Sequence, residues 1–417
     1  MNRATIDGLE ISLPRLRARL DALAEIGAIE GGGCARLALT DEDRRGRDLV
    51  VSWMRDLGLR VDVDEIGNVV GTWPPERVDA PVMTGSHIDT VATGGRFDGT
   101  LGVLTGIEVL ETVITSGVEL ARPVAVAFFT DEEGSRFAPD MLGSLVFAGG
   151  MPLEEALAVR AIDGAVLGEE LLRIGYAGPQ PSPARPPHAY VELHIEQGPV
   201  LEAEEVTIGA VTGVQGISWT ELTITGQSNH AGTTPMAMRH DAGYAAAEVA
   251  SFARRLSADM GPPQVATVGR IELHPNLVNV VAARATMTID LRNTKDELVT
   301  VSERRLFEFC EELAEREGVS IARRSLARFA PVDFDEQVIA LVEGVARARG
   351  LSTMRLPSGA GHDAQMLARV CPAGMVFVPS VRGISHNPAE LTDDTDLEAG
   401  ANVLLHVLLR LASDAGS

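Results

Sequence analysis

Apolar residues recur at helical spacing from Leu13 to Ile26 (LPRLRARLDALAEI), and Asp41 to Leu57 opens on acids before an amphipathic run, so two helices are expected to lead the chain in. The pattern then changes to short β-branched runs: Leu59 to Asp64, Asn68 to Trp73, Val82 to Ser86, Val124 to Phe129, Ala189 to Leu193 and Val376 to Pro379. Between the third and fourth lies Leu101 to Ser116, long and apolar enough to predict a buried helix. Strands alternating with helices indicate an α/β sheet.

The middle of the chain reads differently. Gly216 to Gly226 alternates with period two, Asp241 to Ser257 is an alanine-rich helix, and Gln264 to Glu272 and Ala283 to Leu291 form two more predicted strands. An acidic helix (Asp296 to Glu317) and a strand (Val319 to Arg324) complete the order β-α-β-β-α-β, that of a small ferredoxin-like unit. After Pro331 an apolar helix (Gln337 to Arg349), a strand and a terminal helix (Asp396 to Ala412) are expected to rejoin the first sheet. The expected organisation is an α/β domain built from 1–213 and 331–417, interrupted by an α+β domain over 214–330. Gly178 to Pro187 is proline-rich and predicts a loop.

Composition narrows the classes of function. The 417 residues hold 45% hydrophobic positions, a globular composition with room for about two or three domains. With 36 Lys+Arg against 59 Asp+Glu the formal charge is −23, and no basic patch offsets it, so nucleic acid and anionic membranes are not expected partners. Cys34, Cys310 and Cys371 are widely spaced and show no Cys-x-x-Cys pattern, which argues against a disulfide framework or a thiolate metal site. Met1 to Leu20 lacks the uncharged core of a signal peptide, and no apolar stretch reaches the ~18 residues of a spanning helix. A cytoplasmic protein is expected.

Four of the predicted strands run into side chains that bind metals: His87 and Asp89 after the Val82 run, Asp131-Glu132-Glu133 after Phe129, His194 and Glu196 after Leu193, and Ser385-His386 beyond Val378. In an open α/β sheet the crevice outside the carboxyl ends of the strands is the ligand site, so these ends converge. His87 and Asp89 are two apart and share a face; the Asp either binds metal or accepts the ring N–H. Three adjacent carboxylates repel one another unless a cation lies among them. Glu132 and Glu133 point to opposite sides, so one is expected to ligate and the other to transfer protons. With Asp98 from the glycine-rich turn Gly94 to Gly99, the set His87, Asp98, Glu133, His194 and His386 mixes imidazole and carboxylate, which suits Zn²⁺, Mn²⁺, Co²⁺ or Ni²⁺. Five ligands suit two ions sharing one carboxylate, with Asp98 the natural bridge.

Seven ordered motifs carry a resemblance: GSHIDTV (Gly85 to Val91), GGRFDG (Gly94 to Gly99), TDEEGSRF (Thr130 to Phe137), HIEQGP (His194 to Pro199), NHAGTTPM (Asn229 to Met236), SGAGHDA (Ser358 to Ala364) and SHNPAE (Ser385 to Glu390). Over nearly its whole length the chain resembles the M20 metallopeptidase-like amidohydrolases, in the branch of N-carbamoyl-L-amino acid hydrolases, allantoate amidohydrolases and β-ureidopropionases. The resemblance implies a mixed-sheet, phosphorylase/hydrolase-like catalytic domain with an inserted lid that also forms a homodimer. It implies the same five ligands on two divalent ions, Glu132 as general base and Asp89 behind His87. It further implies that His230 stabilises the oxyanion, within its own subunit or across a dimer, that Asn279 and Arg292 bind the substrate carboxylate, and that Gln197 and the Gly361 loop complete the pocket. His362 in that loop is a candidate donor whose role the sequence leaves open, while His188, His240, His274 and His406 are taken as structural or exposed. Related aminoacylases and dipeptidases typically carry an acid at the position of His194, so this His favours carbamoyl substrates over peptides. The expected reaction converts an N-carbamoyl-L-amino acid to the amino acid, carbon dioxide and ammonia, with allantoate and β-ureidopropionate as close competitors. A non-catalytic ureido-binding homologue is disfavoured by the presence of Glu132.

Overall fold

The computed structural model describes residues 6–413. The first five residues of the Met1 to Leu20 stretch and the last four of the expected 331–417 segment lie outside the described residues. The chain divides into two compact units, one up to Gly213 and again from Asp333, the other Val214–Val332.

The first unit is organised by a mixed sheet of β1 (Arg60–Val63), β2 (Val69–Trp73), β3 (Val82–His87), β4 (Val124–Phe129), β5 (Ala189–Ile195) and β6 (Ile208–Val214), joined late in the chain by β11 (Val332–Asp333), β12 (Thr353–Ser358) and β13 (Ala373–Val378). Its order is β1-β2-β4-β3-β5-β13-β6-β11, with β12 also paired to β6. The central four, β4-β3-β5-β13, are parallel, with Val82 opposite both Val124 and Ala189, and Ala373 opposite Tyr190. β2 and β6 flank them antiparallel. Every residue of these four strands is buried, which is why they read as continuous apolar runs rather than alternating ones.

Helices Thr100–Ser116 and Asp394–Ser413 pack on the strands β3 and β5 and on each other. Helix Leu13–Ala24, whose Ser12 hydroxyl caps its first turn, is clamped to the Thr100–Ser116 helix by Arg15 and Arg19, at 2.5 and 3.1 Å from the two carboxylate oxygens of the buried Glu108. Because the four central strands are parallel, their carboxyl ends open on one edge of the sheet, and the loops that follow them carry the polar clusters.

The second unit follows the order β-α-β-β-α-β: β7 (Gly216–Thr225), helix Ala242–Met260, β8 (Val265–His274), β9 (Arg284–Asn293), helix Asp296–Glu317 and β10 (Ser320–Phe329). Its strands pair antiparallel in the order β10-β7-β9-β8. Alternate residues of β9 (Ala285, Met287, Ile289, Leu291) join Val249, Ala253 and Leu306 from the two helices in a separate core, giving the period-two pattern seen in the sequence. Among the described residues no helix is long and apolar enough to cross a membrane.

Candidate metal centre

His87 ends β3, fully buried, with Nδ1 2.9 Å from the backbone oxygen of Asp89. A carbonyl only accepts, so Nδ1 carries a hydrogen and Nε2 is the ring nitrogen turned toward the acids. That nitrogen lies 3.6 Å from Asp98 Oδ1 and 3.4 Å from Glu132 Oε2. The Asp89 carboxylate stands behind His87, with Oδ1 3.9 Å from Nδ1. Its Oδ1 accepts the Glu132 N–H and its Oδ2 the Glu133 N–H, each at 3.3 Å, so Asp89 shapes the acidic turn. The same turn is pinned by Asn68, which accepts the Thr130 N–H at 3.0 Å, and by Arg47, whose guanidinium donates to Thr130 Oγ1 at 3.2 Å.

His194, in β5, repeats the arrangement of His87. Nδ1 is 2.8 Å from the Ile195 oxygen, and Nε2 is 3.2 Å from Asp98 Oδ1. Both rings crowd the residue after Asp98: Gly99 has φ 64, and a Cβ there would overlap the His87 ring. On the other oxygen, Asp98 Oδ2 accepts from Gln197 Nε2 at 2.8 Å and from Ser385 Oγ at 2.9 Å, and His386 Nε2 stands 3.4 Å away. His386 Nε2 is also 3.3 Å from Glu133 Oε2, whose other oxygen accepts the Val91 N–H at 3.3 Å. The fold thus brings the five expected ligands into two groups, His87-Asp98-His194 and Asp98-Glu133-His386, in each of which the ligand atoms lie within 4.8 Å of one another. Asp98 belongs to both.

The electrostatics fit a site for cations. Burial alone would protonate Asp98, yet hydrogen bonds from His194, His386 and His87 hold its carboxyl well below the usual range. Burial and the neighbouring Asp98 push Glu133 up to about 8, and burial, with Asp363, Glu133 and Asp89 nearby, raises Glu132 well above its ordinary value. His386, hydrogen-bonded to Asp98, is raised to about 9. His362, buried beside His194 with Nε2 2.8 Å from Ser358 Oγ, is held well below its ordinary value and stays neutral.

Other expected residues make contacts of their own within each unit. Glu196 caps the next short helix by accepting the Val200 and Leu201 N–H groups at 2.8 and 2.9 Å. Gln197, expected to touch substrate, donates to Asp98. Gly361 packs on the Met141 side chain. His230, Asn279 and Arg292 belong to the second unit. His230 Nδ1 accepts the Gly232 and Thr233 N–H groups at 3.0 and 3.3 Å, so Nε2 carries the hydrogen, and Ala231 N–H donates to the backbone oxygen of Asn279 at 2.9 Å. Arg292 is gripped by Asp290, Nε at 3.0 Å and Nη2 at 2.8 Å from Oδ2.

Two acids, Glu192 and Glu390, had no role in the sequence reading, and Asp363 was read only as part of the Gly361 loop. Glu192, fully buried in β5, accepts from Ser86 Oγ at 2.6 Å and Ala364 N–H at 2.9 Å and lies within reach of His194 and His362. Its signal was an acid inside an apolar strand. Asp363 is buried beside it. Glu390 is hydrogen-bonded to the backbone of the Asp98 turn.

Residues 83–410, which include all five ligands, match the profile of peptidase family M20/M25/M40. The chain belongs to this family of hydrolases. The chain is 42% identical over 403 residues to the N-carbamoyl-L-amino-acid amidohydrolase of Rhizobium meliloti, covering 96% of this chain and 97% of the relative. It is 35% identical to the allantoate amidohydrolase of Escherichia coli, over 94% and 96% of the two chains. A crystal structure of an amidase of the hydantoinase/carbamoylase family from Burkholderia multivorans superposes with TM-score 0.93 at 46% identity, covering 98% of this chain and all of the other. M20 hydrolases are metal-dependent, and the shared Asp98 gives this chain a donor set that fits.

Proposed function

We propose that the protein is a metal-dependent amidohydrolase that removes the carbamoyl group of an N-carbamoyl-L-amino acid, yielding the amino acid, carbon dioxide and ammonia. The observation that carries the reading is Asp98, held between two three-ligand groups with Glu132 on their border. His87 and His194 would hold one divalent ion, Glu133 and His386 a second, with Asp98 between them; the all-nitrogen-and-oxygen donor set suits Zn²⁺, Mn²⁺, Co²⁺ or Ni²⁺. Bound there, such ions acidify a water and polarise a carbonyl.

The side chains do the rest. Glu132, with its pKa raised, takes a proton at Oε2 from the water that attacks the carbonyl carbon and returns it to the leaving nitrogen as the C–N bond breaks. His230, with its hydrogen on Nε2, is the donor for the negative charge that develops on the carbonyl oxygen. Arg292, oriented by Asp290, and Asn279 receive the substrate carboxylate. The 214–330 segment is read as the lid and the surface of a homodimer, and the protein as cytoplasmic. The 35% identity to an allantoate amidohydrolase supports a second reading, in which the ureido group belongs to allantoate. Chelated protein reloaded with Mn²⁺ is tested for ammonia release from N-carbamoyl-L-amino acids, allantoate, β-ureidopropionate and dipeptides. Fastest turnover of the carbamoyl amino acids supports the proposal; preference for a dipeptide overturns it.

A further inference from the structure

We propose that Glu390 is a positioning residue that sets the bridging carboxylate: it fixes the backbone of the Asp98 turn directly and the Asp98 side chain through Ser385. The proposal rests on the reading of Asp98 as a shared metal ligand.

Glu390 is 4% exposed and comes from the far end of the chain. Its Oε1 accepts the backbone N–H of Phe97 at 2.9 Å and of Asp98 at 3.1 Å. Its Oε2 lies 3.0 Å from Ser385 Oγ, which in turn lies 2.9 Å from Asp98 Oδ2. One carboxyl group therefore holds both ends of Asp98, and Ser385 immediately precedes the ligand His386. The seat is shaped for it. A Cβ on Gly95 would overlap the Glu390 carboxyl group, so glycine at this position makes the room that the carboxylate fills. A loop staple could have used any exposed pair, whereas this one is buried and touches two of the three members of the second ligand group or their immediate neighbours. Outer partners of this kind orient ligands and tune affinity.

The variants separate this role from plain structural support. In Glu390→Gln the amide oxygen still accepts both N–H groups and the NH₂ donates to Ser385, whose hydroxyl then donates to Asp98; in Glu390→Ala two buried donors lose their acceptor. Full-length chelated proteins are titrated with Mn²⁺ by calorimetry, with the melting temperature of each metal-free protein measured alongside. Glu390→Ala and Gly95→Ala are expected to bind Mn²⁺ ~10–100-fold more weakly than wild type, with Glu390→Gln restoring most of the affinity. Wild-type Mn²⁺ affinity in Glu390→Ala, whatever its melting temperature, overturns the proposal. Should Glu390→Ala fail to fold, Ser385→Ala decides: weakened Mn²⁺ binding supports the role and unchanged binding refutes it. Wild type that takes up no divalent ion overturns the metal reading and this inference with it, an outcome distinct from wild type and variant binding alike.

Discussion

His386 Nε2 stands 3.4 Å from Asp98 Oδ2, and this contact raises the imidazole to about 9, while Glu133 beside it is pushed to about 8. Both groups must shed a proton to ligate a cation, so metal uptake releases protons and strengthens as pH rises toward 9. Calorimetric titration with Mn²⁺ at pH 7 in two buffers of different ionisation enthalpy should show proton release. Equal heats in both would remove the assignment of these two ligands.

The stability of the chelated protein moves the other way. Both groups bind their proton more tightly folded than unfolded, from ordinary values of 6.5 and 4.5, so their stabilisation is full at low pH and is lost as pH rises through about 8 and 9. The melting temperature of metal-free protein is expected to fall across that window, and added Mn²⁺ to reduce the fall.

Glu132→Gln keeps the size of the side chain and removes its capacity to take a proton. Turnover is expected to drop by roughly 10²–10⁴ with Mn²⁺ affinity little changed, as read by ammonia release and by metal titration. Near-normal turnover in the metal-loaded variant would place the base elsewhere.

Arg292→Ala removes the proposed carboxylate grip. A charge-assisted hydrogen bond is worth about 1.5–3 kcal/mol, so kcat/KM for a carbamoyl amino acid should fall roughly 10–100-fold, mostly through KM. Asp290→Asn, which loosens the ion pair that aims the guanidinium, should give a smaller change of the same kind.

Arg47 and Asp43 pair at 2.8 Å with neither side chain exposed. Arg47→Met strands a buried carboxylate and frees Gly67 and Thr130, at a cost of about 3–5 kcal/mol readable in urea unfolding. A loss well below 1 kcal/mol would mean that the pocket hydrates once opened.

The buried parallel strands were legible because burial on both faces leaves only apolar residues, and helices such as Leu13–Ala24 because amphipathic spacing and a serine cap mark them. β6 was not: IGAVTGV is broken by glycines and carries no alternation. β12, half-buried and holding Pro357, is also weakly marked. The proposed ligands stood out because metal-capable residues close apolar strands or sit in glycine turns. Glu390 and Glu192 did not, because their meaning lies in contacts with Asp98 and Ala364, 292 and 172 residues away, which no local pattern reports. Gln197 was visible as a polar residue beside His194, but only the folded chain shows that it turns to Asp98.

In the sheet, β13 is the strand that separates β5 from β6, although it is made long after both. A growing chain that has passed β6 therefore holds the strands β1 to β5 and a lone β6 with the place of β13 between them, and one complete ligand group, His87-Asp98-His194, without its neighbour. The gap closes only when residues 373–378 emerge, and His386 follows them. If the centre binds cations as proposed, its second ligand group cannot be complete before translation has passed His386.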